Sequence, residues 1–404
     1  MSPSWPANWP PFLWGVATSS HQIEGDNQND WTAWEEQGRV PEPSGKATNH
    51  WQHWRDDFAL LSEIGVNAYR FSIEWSRIQP APDRFDSAAI RQYRNMIAFL
   101  RQNQIVPVLT LHHFTLPLWV SRQQGVQNPR FPQWFRRYTD VVMNELGDLV
   151  DLYVTINEPM VLVVMGYLIR RWPPGKTGFR QALGVIDHLV EAHHDAYAVI
   201  KKSRPNAWVG LAHHVIDFQP FNPRNPLDRM DARLLRYLMN RRVIRLVGTR
   251  QDFLGMNYYT RQYARWYQGL HPLTTRGGQL LTDMGWEIQP EGLETVVHDI
   301  PLADRPVLIT ENGIATEDDA LRQQYLRRHL AIVAKLQQQG FAVRGYFYWS
   351  FLDNFEWAEG YRPRFGLVGI DYRTEERQIR PSAHWYRRVI EANRARYPIN
   401  VPEE

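Results

Sequence analysis

Two acidic residues stand where the chain leaves an apolar run: Glu158 in Thr-Ile-Asn-Glu-Pro (155–159) and Glu311 in Ile-Thr-Glu-Asn-Gly (309–313). Each lies beside an amide side chain, Asn157 before the first and Asn312 after the second. Two carboxyl groups flanking one bond are what glycosidic cleavage needs: one gives a proton to the leaving oxygen, the other acts as nucleophile or base at the anomeric carbon. Asn157 adds a donor for a sugar 2-hydroxyl, a contact that strengthens as positive charge develops on the ring. Either tripeptide alone is a weak signal. A salt-bridged strand-end carboxylate would explain Glu158, and a turn would explain Glu311, because Asn-Gly accepts positive φ. The pair carries weight only if one fold brings both to one place.

Short β-rich apolar runs recur at 12–18, 68–75, 106–113, 152–159, 208–214, 252–259, 307–313 and 343–351. Amphipathic helical patterns lie between most of them, at 51–64, 88–103, 134–146, 179–203 and 318–339, and a last one at 383–396 closes the chain. Eight strands each followed by a helix predict a single (β/α)8 barrel domain over residues 1–404, since no linker-like break interrupts the pattern. Runs such as VPVLTL and VLIT lack polar alternation, as parallel strands buried on both faces do. A doubly wound open sheet would want a Gly-rich turn after the first strand, where this chain has Thr18-Ser19-Ser20-His21-Gln22. In a barrel, strands four and seven face each other across the mouth.

The C-terminal ends of the runs are polar throughout. They carry His21, Gln22 and Glu24; Arg70 and Glu74; His112 and His113; Asn157 and Glu158; His213 and His214; Asn257, Tyr258 and Tyr259; Glu311 and Asn312; then Trp349, with Glu356 and Trp357 just beyond. A barrel gathers these ends at one mouth, where chemistry is done. Packing alone would put aliphatics there, although Gln22 also reads as a satisfied loop residue and Trp349 and Trp357 as core. The adjacent histidines 112–113, 193–194 and 213–214 do not suggest a metal site, because neighbouring strand residues point to opposite sides. No metal or cofactor is expected. His113 reads as a hydroxyl partner, with His112 packed behind the strand.

Composition narrows the classes further. Aromatic residues make up 13%, including 17 Trp, and such rings stack on the C–H face of a pyranose. The net charge is +3, and the basic residues, of which only five are lysine, are mixed with acids, so no nucleic-acid groove is expected. The absence of cysteine removes disulfides, thiolate metal sites and cysteine nucleophiles. No stretch reaches 18 apolar residues and the N-terminus lacks a signal-like apolar segment, so the expectation is a cytoplasmic protein with no membrane contact. A barrel aldolase or isomerase would want a Schiff-base lysine or a metal, and none of the lysines falls at an expected strand end.

The segments FLWGVATSSHQIEG, NAYRFSIEWSRIQP, LTLHHFTLP, TINEP, DFLGMNYYT, LITENG, GYFYWSFLDNFEWAEGY and RFGLVGIDY occur in this order along nearly the whole chain. In this the sequence resembles glycoside hydrolase family 1, the β-glucosidase/β-galactosidase family. The resemblance implies a retaining β-glycosidase with Glu158 as acid/base and Glu311 as nucleophile. It further implies that Gln22, His113, Asn157 and Glu356 hold the glycone hydroxyls, that Trp349 floors the sugar subsite and that Trp357 adds an indole N–H. Arg70 and Tyr259 would bracket the nucleophile, with Asn257 in support and Trp286 as an aglycone platform. The implied substrate is a small-molecule β-glycoside or oligosaccharide with a terminal non-reducing β-D-glycosyl residue, glucosides foremost and fucosides or galactosides beside them. Relatives acting on 6-phosphosugars replace the acid at position 356, so Glu356 implies a non-phosphorylated sugar. A non-catalytic sugar-binding barrel of the same fold is the alternative, and it would want one of the two glutamates lost.

Elementary electrostatics add two expectations. Arg70 beside Glu311 should hold that carboxyl low, and burial with a negative neighbour should raise Glu158. Retention asks for carboxyl groups about 5–5.5 Å apart. Two features depart from the family pattern. Phe114 replaces a common Trp after the histidine, and 220–250 is short, predicting an open aglycone side or a looser barrel wall. Glu74 reads only as an ion-pair residue.

Overall fold

The computed structural model describes residues 5–267, 275–302 and 304–401. All eight apolar runs form strands: β1 (Leu13–Ala17), β2 (Ala68–Ser72), β3 (Val106–His112), β4 (Leu152–Asn157), β5 (Trp208–Pro220), β6 (Leu254–Ala264), β7 (Val307–Asn312) and β8 (Val343–Trp349). They pair in parallel in chain order and close into a barrel, β8 returning to β1 from Leu13↔Gly345 to Ala17↔Trp349. The fold is therefore the (β/α)8 barrel.

Helices His50–Ile64, Ser87–Gln102, Phe131–Leu146, Phe179–Ser203, Asp319–Gln338 and Pro381–Asn393 fall within a few residues of the amphipathic patterns. Two begin at side-chain caps: Asp86 accepts from the N–H of Ala88 and Ala89, and Asp318 from those of Ala320 and Leu321. Each cap satisfies donors that the first turn leaves open and contributes about 1 kcal/mol relative to Ala. The core has two shells. Strand side chains such as Leu13, Val108, Leu152 and Leu308 fill the barrel, and Trp5 and Trp9 pack on Trp208 at its N-terminal end, with ring centroids 5.4 and 6.0 Å away. The second shell lies between the strands and the surrounding helices.

The wall between β5 and β6 corrects one expectation. It is not loose: the two strands pair from Ala212↔Gly255 to Pro220↔Ala264, continuing past the rim as a parallel ribbon. The short 220–250 segment folds as helix Pro226–Leu235, a π-helical turn Arg236–Arg241 and helix Arg242–Val247. The β5–β6 register shifts between Val215 and Asp217. The π-helical turn delivers Asn240 to this spot, where its side chain accepts from the Ile216 N–H (3.1 Å) and donates to the Ile216 carbonyl (2.8 Å). Backbone groups released by the irregularity are thus paired again. A hairpin not foreseen from the sequence, β9 (Val368–Asp371) and β10 (Glu376–Ile379), follows β8. Among the described residues no helix is long and apolar enough to cross a membrane.

Candidate active site

At the C-terminal mouth of the barrel lies a cavity of about 430 Å³. Its wall includes His113, Asn157, Glu158, Tyr259, Trp286, Glu311, Trp349, Glu356 and Trp357. Glu158 follows the last residue of β4 and Glu311 is the penultimate residue of β7, so the barrel brings both carboxyl groups to one cavity.

Glu311 is held from two sides. Arg70 Nη1 donates to its Oε1 at 2.5 Å and the Tyr259 hydroxyl to its Oε2 at 2.6 Å. The same guanidinium donates through Nη2 to Asn157 Oδ1 at 2.6 Å and through Nε to Thr110 Oγ1 at 3.2 Å. A planar fork fully buried in the middle of β2 thus fixes residues of β4 and β7 relative to each other. The expected depression of Glu311 is overturned. Burial is the dominant influence and raises its carboxyl to about 7; Arg70 and the Tyr259 hydrogen bond pull it down, and Glu158 pushes it up.

Glu158 has different company. Asn257 Nδ2 donates to its Oε1 at 2.8 Å, and His214 Nδ1 lies 3.2 Å from the same oxygen. No arginine or lysine pairs with it among the described residues. Asn257 is itself oriented by Thr310, whose hydroxyl donates to its Oδ1 at 2.6 Å, and its Nδ2 also reaches Asn157 Oδ1 at 3.1 Å. Glu158 has φ 43°, Phe114 φ 71° and Trp357 φ 51°. Three residues lining the cavity thus occupy left-handed backbone, each at a cost of about 1–3 kcal/mol that the surrounding fold must offset. Gly313 does not serve a left-handed turn here: β7 continues through Asn312, and a Cβ on Gly313 would sit 1.7 Å from the Trp349 carbonyl oxygen. The glycine lets the end of β7 lie against β8.

Asn157 Nδ2 donates to His113 Nε2 at 3.0 Å, which leaves the imidazole proton on Nδ1. Burial keeps His113 well below its usual range and therefore neutral. Its ring stacks on Trp349 and Trp357, centroids 6.0 and 6.1 Å away. Trp286 lies half-buried against Tyr259 at 5.3 Å. Glu356 is raised to about 8 by burial and then by the nearby Glu311 and Glu158. Gln22 sits behind the wall: it donates to Asn354 Oδ1 (2.8 Å), the Phe355 carbonyl (2.9 Å) and Glu356 Oε2 (3.3 Å), and accepts from Ser19 (2.7 Å). Arg70 and Asn257 also lie behind the wall, acting on the carboxyl groups that line it.

Glu74 has no ion-pair partner among the described residues. It is fully buried and accepts instead from the hydroxyls of Ser20 (2.9 Å), Ser76 (2.7 Å) and Thr115 (3.0 Å) and, more weakly, from Asn29 (3.3 Å). His112 is packed against Phe131 and Phe135 behind β3. The sequence reading missed His214 as a neighbour of Glu158. Its signal was present in the 213–214 pair, one member of which must face the mouth. Phe114, in place of the indole, packs edge-on against Trp172 (4.8 Å) and Trp357 (5.3 Å). Beyond the carboxyl groups the lining combines apolar Ile169, Ile216, Phe218, Leu235 and Met239 with charged Arg171, Arg265, Glu359 and Arg362. Among the described residues no group of three His, Asp or Glu is arranged to hold a metal ion.

A model of glycosyl hydrolase family 1 matches residues 7–247 and 238–395. β-Glucosidase A of Thermotoga maritima is 31% identical, the match covering 95% of this chain and 97% of that protein. Among solved structures, the β-glycosidase from Pyrococcus horikoshii is 39% identical with a TM-score of 0.86, covering 96% of this chain and 95% of that one. The β-glucosidase from Thermotoga maritima in complex with glucoimidazole is 30% identical with a TM-score of 0.88, covering 96% and 98%.

Proposed function

The chain belongs to glycosyl hydrolase family 1 and is a retaining β-glycosidase, and from that premise we propose that Glu311 is its nucleophile and Glu158 its acid/base. One observation carries this reading: both carboxyl groups line one cavity, but only Glu311 is gripped on both oxygens by donors, Arg70 and Tyr259. An anion so held is oriented for attack, whereas Glu158, in contact with an amide and an imidazole, is free to give and take a proton.

In the first step Glu311 bonds to C1 while the bond from C1 to the aglycone oxygen breaks, and Glu158 transfers its proton to that oxygen. The ester leaves Glu311 without charge. Glu158, now a carboxylate, takes a proton from water, the water oxygen bonds to C1 and the C1–Glu311 bond breaks, restoring both groups with net retention. An alcohol in place of water gives transglycosylation. Asn157 keeps one amide hydrogen for the 2-hydroxyl, and the His113 Nδ1–H and Glu356 are placed for further glycone hydroxyls. Gln22 acts through Glu356. Trp349 is the stacking floor, Trp357 an indole donor and Trp286 the aglycone platform. The substrates proposed are unphosphorylated β-D-glucosides, with fucosides and galactosides as secondary substrates.

Hydrolysis of p-nitrophenyl β-D-glucoside by the wild type and by Glu311→Ala tests the assignment. The variant should lose at least about 10³-fold in kcat. Azide should restore turnover, giving the α-glycosyl azide with Glu311→Ala and the β-glycosyl azide with Glu158→Ala. Full activity in Glu311→Ala would show that the nucleophile lies elsewhere.

A further inference from the structure

The helix that walls the outer part of the cavity turns a second apolar face to solvent. Of the ten exposed large apolar side chains among the described residues, nine lie between Leu227 and Leu281. Leu227, Met230, Leu234 and Tyr237 follow at spacings of three, four and three, which places them in one stripe along helix Pro226–Leu235 and its π-helical continuation. Met230 is 61% exposed. The opposite face, Ala232 and Leu235 with Met239 beyond, packs on Ile216 and Phe218. A helix apolar on two faces suits an interior, yet among the described residues only one of these faces is covered. Trp266 and Tyr267, just past β6, extend the patch; Tyr267 is 63% exposed, and the Trp266 N–H donates to Asp228 Oδ1 (3.3 Å) in the first turn of the helix.

The segment that carries the stripe is basic, although Arg241 is paired with Asp299. Residues 222–250 contain eight arginines against two acids, Asp228 and Asp231, in a chain whose whole net charge is +3. Arg229 and Arg233 lie exposed beside the stripe. A nucleic acid would use the arginines but not exposed Leu and Met, and a second copy of the chain would bring equal positive charge to the contact. Aliphatic side chains in a one-sided stripe, arginines beside them, and Trp and Tyr at the margin are the chemistry of the lipid headgroup boundary.

We propose that this face docks the enzyme on an anionic lipid bilayer, lying on the surface without crossing it. A chain without a spanning segment can still lie on a bilayer, because an interfacial helix needs only the stripe. Ala264 and Arg265 line the cavity immediately before Trp266, so docking brings the side of the cleft formed by Ile216, Phe218, Leu235 and Met239 towards the bilayer. β-Glycosides with a membrane-embedded aglycone would then reach the site from the lipid.

Vesicle flotation at low ionic strength tests this with phosphatidylcholine/phosphatidylglycerol (7:3) and with phosphatidylcholine alone. The wild type should partition onto the anionic vesicles at least about tenfold more than onto the neutral ones. Met230→Ser/Leu234→Ser and, separately, Arg229→Gln/Arg233→Gln should each lower partitioning about tenfold. Turnover of p-nitrophenyl β-D-glucoside in solution should stay at the wild-type level, which also reports folding; Trp266→Ala replaces the first pair if that variant does not fold. Failure of the wild type to float, equal binding to neutral vesicles, or unchanged binding by the apolar variant overturns the proposal. So does a concentration-dependent dimer, lost in the apolar variant, in a protein that ignores vesicles.

Discussion

The Tyr259 hydroxyl donates to Glu311 Oε2 at 2.6 Å from the strand adjacent to the one that bears the glutamate. With Arg70 on Oε1, the contact sets the plane of the carboxyl group, so the orientation of the attacking oxygen depends on β2 and β6 as well as on β7. This relationship makes Tyr259 a sensitive point at which to perturb the reaction.

Tyr259→Phe removes a hydrogen bond to a charged acceptor, a loss of about 1.5–3 kcal/mol. The expected result is a fall in kcat of about 10- to 100-fold, with the fold intact because the ring remains. The lost donor also favoured the ionised form of Glu311, so the acidic limb of the pH profile should move upward. Steady-state kinetics from pH 4 to 9 provide the check; unchanged kcat and an unchanged profile would remove Tyr259 from the machinery.

The wild-type profile itself follows from Glu311. Attack requires the ionised carboxylate, and burial places this group at about 7. Below that pH the ionised fraction falls about tenfold per unit, so kcat/KM should decline on the acid side with a midpoint near 7. Arg70→Lys keeps a charge but gives up the fork shared with Asn157, and its acidic limb should lie higher than that of the wild type. A wild-type acidic midpoint at an ordinary carboxyl value would mean that the hydrogen bonds outweigh burial.

Glu356 couples the site to stability. Its folded-state carboxyl is raised to about 8 from an ordinary 4.5. The unfolded chain therefore releases this proton first as pH rises. The stabilisation is fully present below about 4.5 and is lost progressively up to about 8. Glu356→Gln stays neutral throughout, so it should gain on the wild type by about 1–3 kcal/mol at pH 8, with the gap closing towards pH 4.5, while glycone binding weakens. Thermal melts at pH 5 and pH 8 measure the difference. A gap that does not widen with pH would separate Glu356 from the pH dependence of stability.

The barrel was legible because its signals are local. Eight unalternating apolar runs with amphipathic stretches between them leave few alternatives, and polar residues such as Asn157, Glu158 and Glu311 at successive strand ends must share one mouth. What the sequence concealed depends on depth and reach. Whether Glu311 ends above or below its usual range is decided by burial against two donors, and residue order does not reveal that balance. Glu74 looked like half of an ion pair because hydroxyls from Ser20, Ser76 and Thr115 converge on it only in three dimensions. Gln22 is at the mouth but behind Glu356, a matter of layers. The short 220–250 segment suggested a gap, since nothing local announces that β5 and β6 run on past the rim.

Asn240 offers a test of that wall. Its amide pairs both the N–H and the carbonyl of Ile216, where the β5–β6 register shifts, and the side chain is 2% exposed. Removing it strands two buried backbone groups, each costing about 1–3 kcal/mol when left without a partner. Asn240→Ala should therefore destabilise the protein by about 2–4 kcal/mol, more than truncation of an exposed residue on the same helical segment such as Arg245. Asn240→Asp keeps the acceptor for the Ile216 N–H but sets a carboxylate against the carbonyl, so it should destabilise at neutral pH and recover part of the loss as the acid is protonated. Ile216 also lines the cleft, and a wall loosened there should raise KM for a large apolar aglycone more than for p-nitrophenyl glucoside. Denaturant titrations of the three variants at pH 5 and 7.5, with KM for a short and a long alkyl glucoside, distinguish a clamp on β5 from a polar residue that is merely buried. A clamp predicts a change in both stability and aglycone discrimination, and simple burial predicts the first alone.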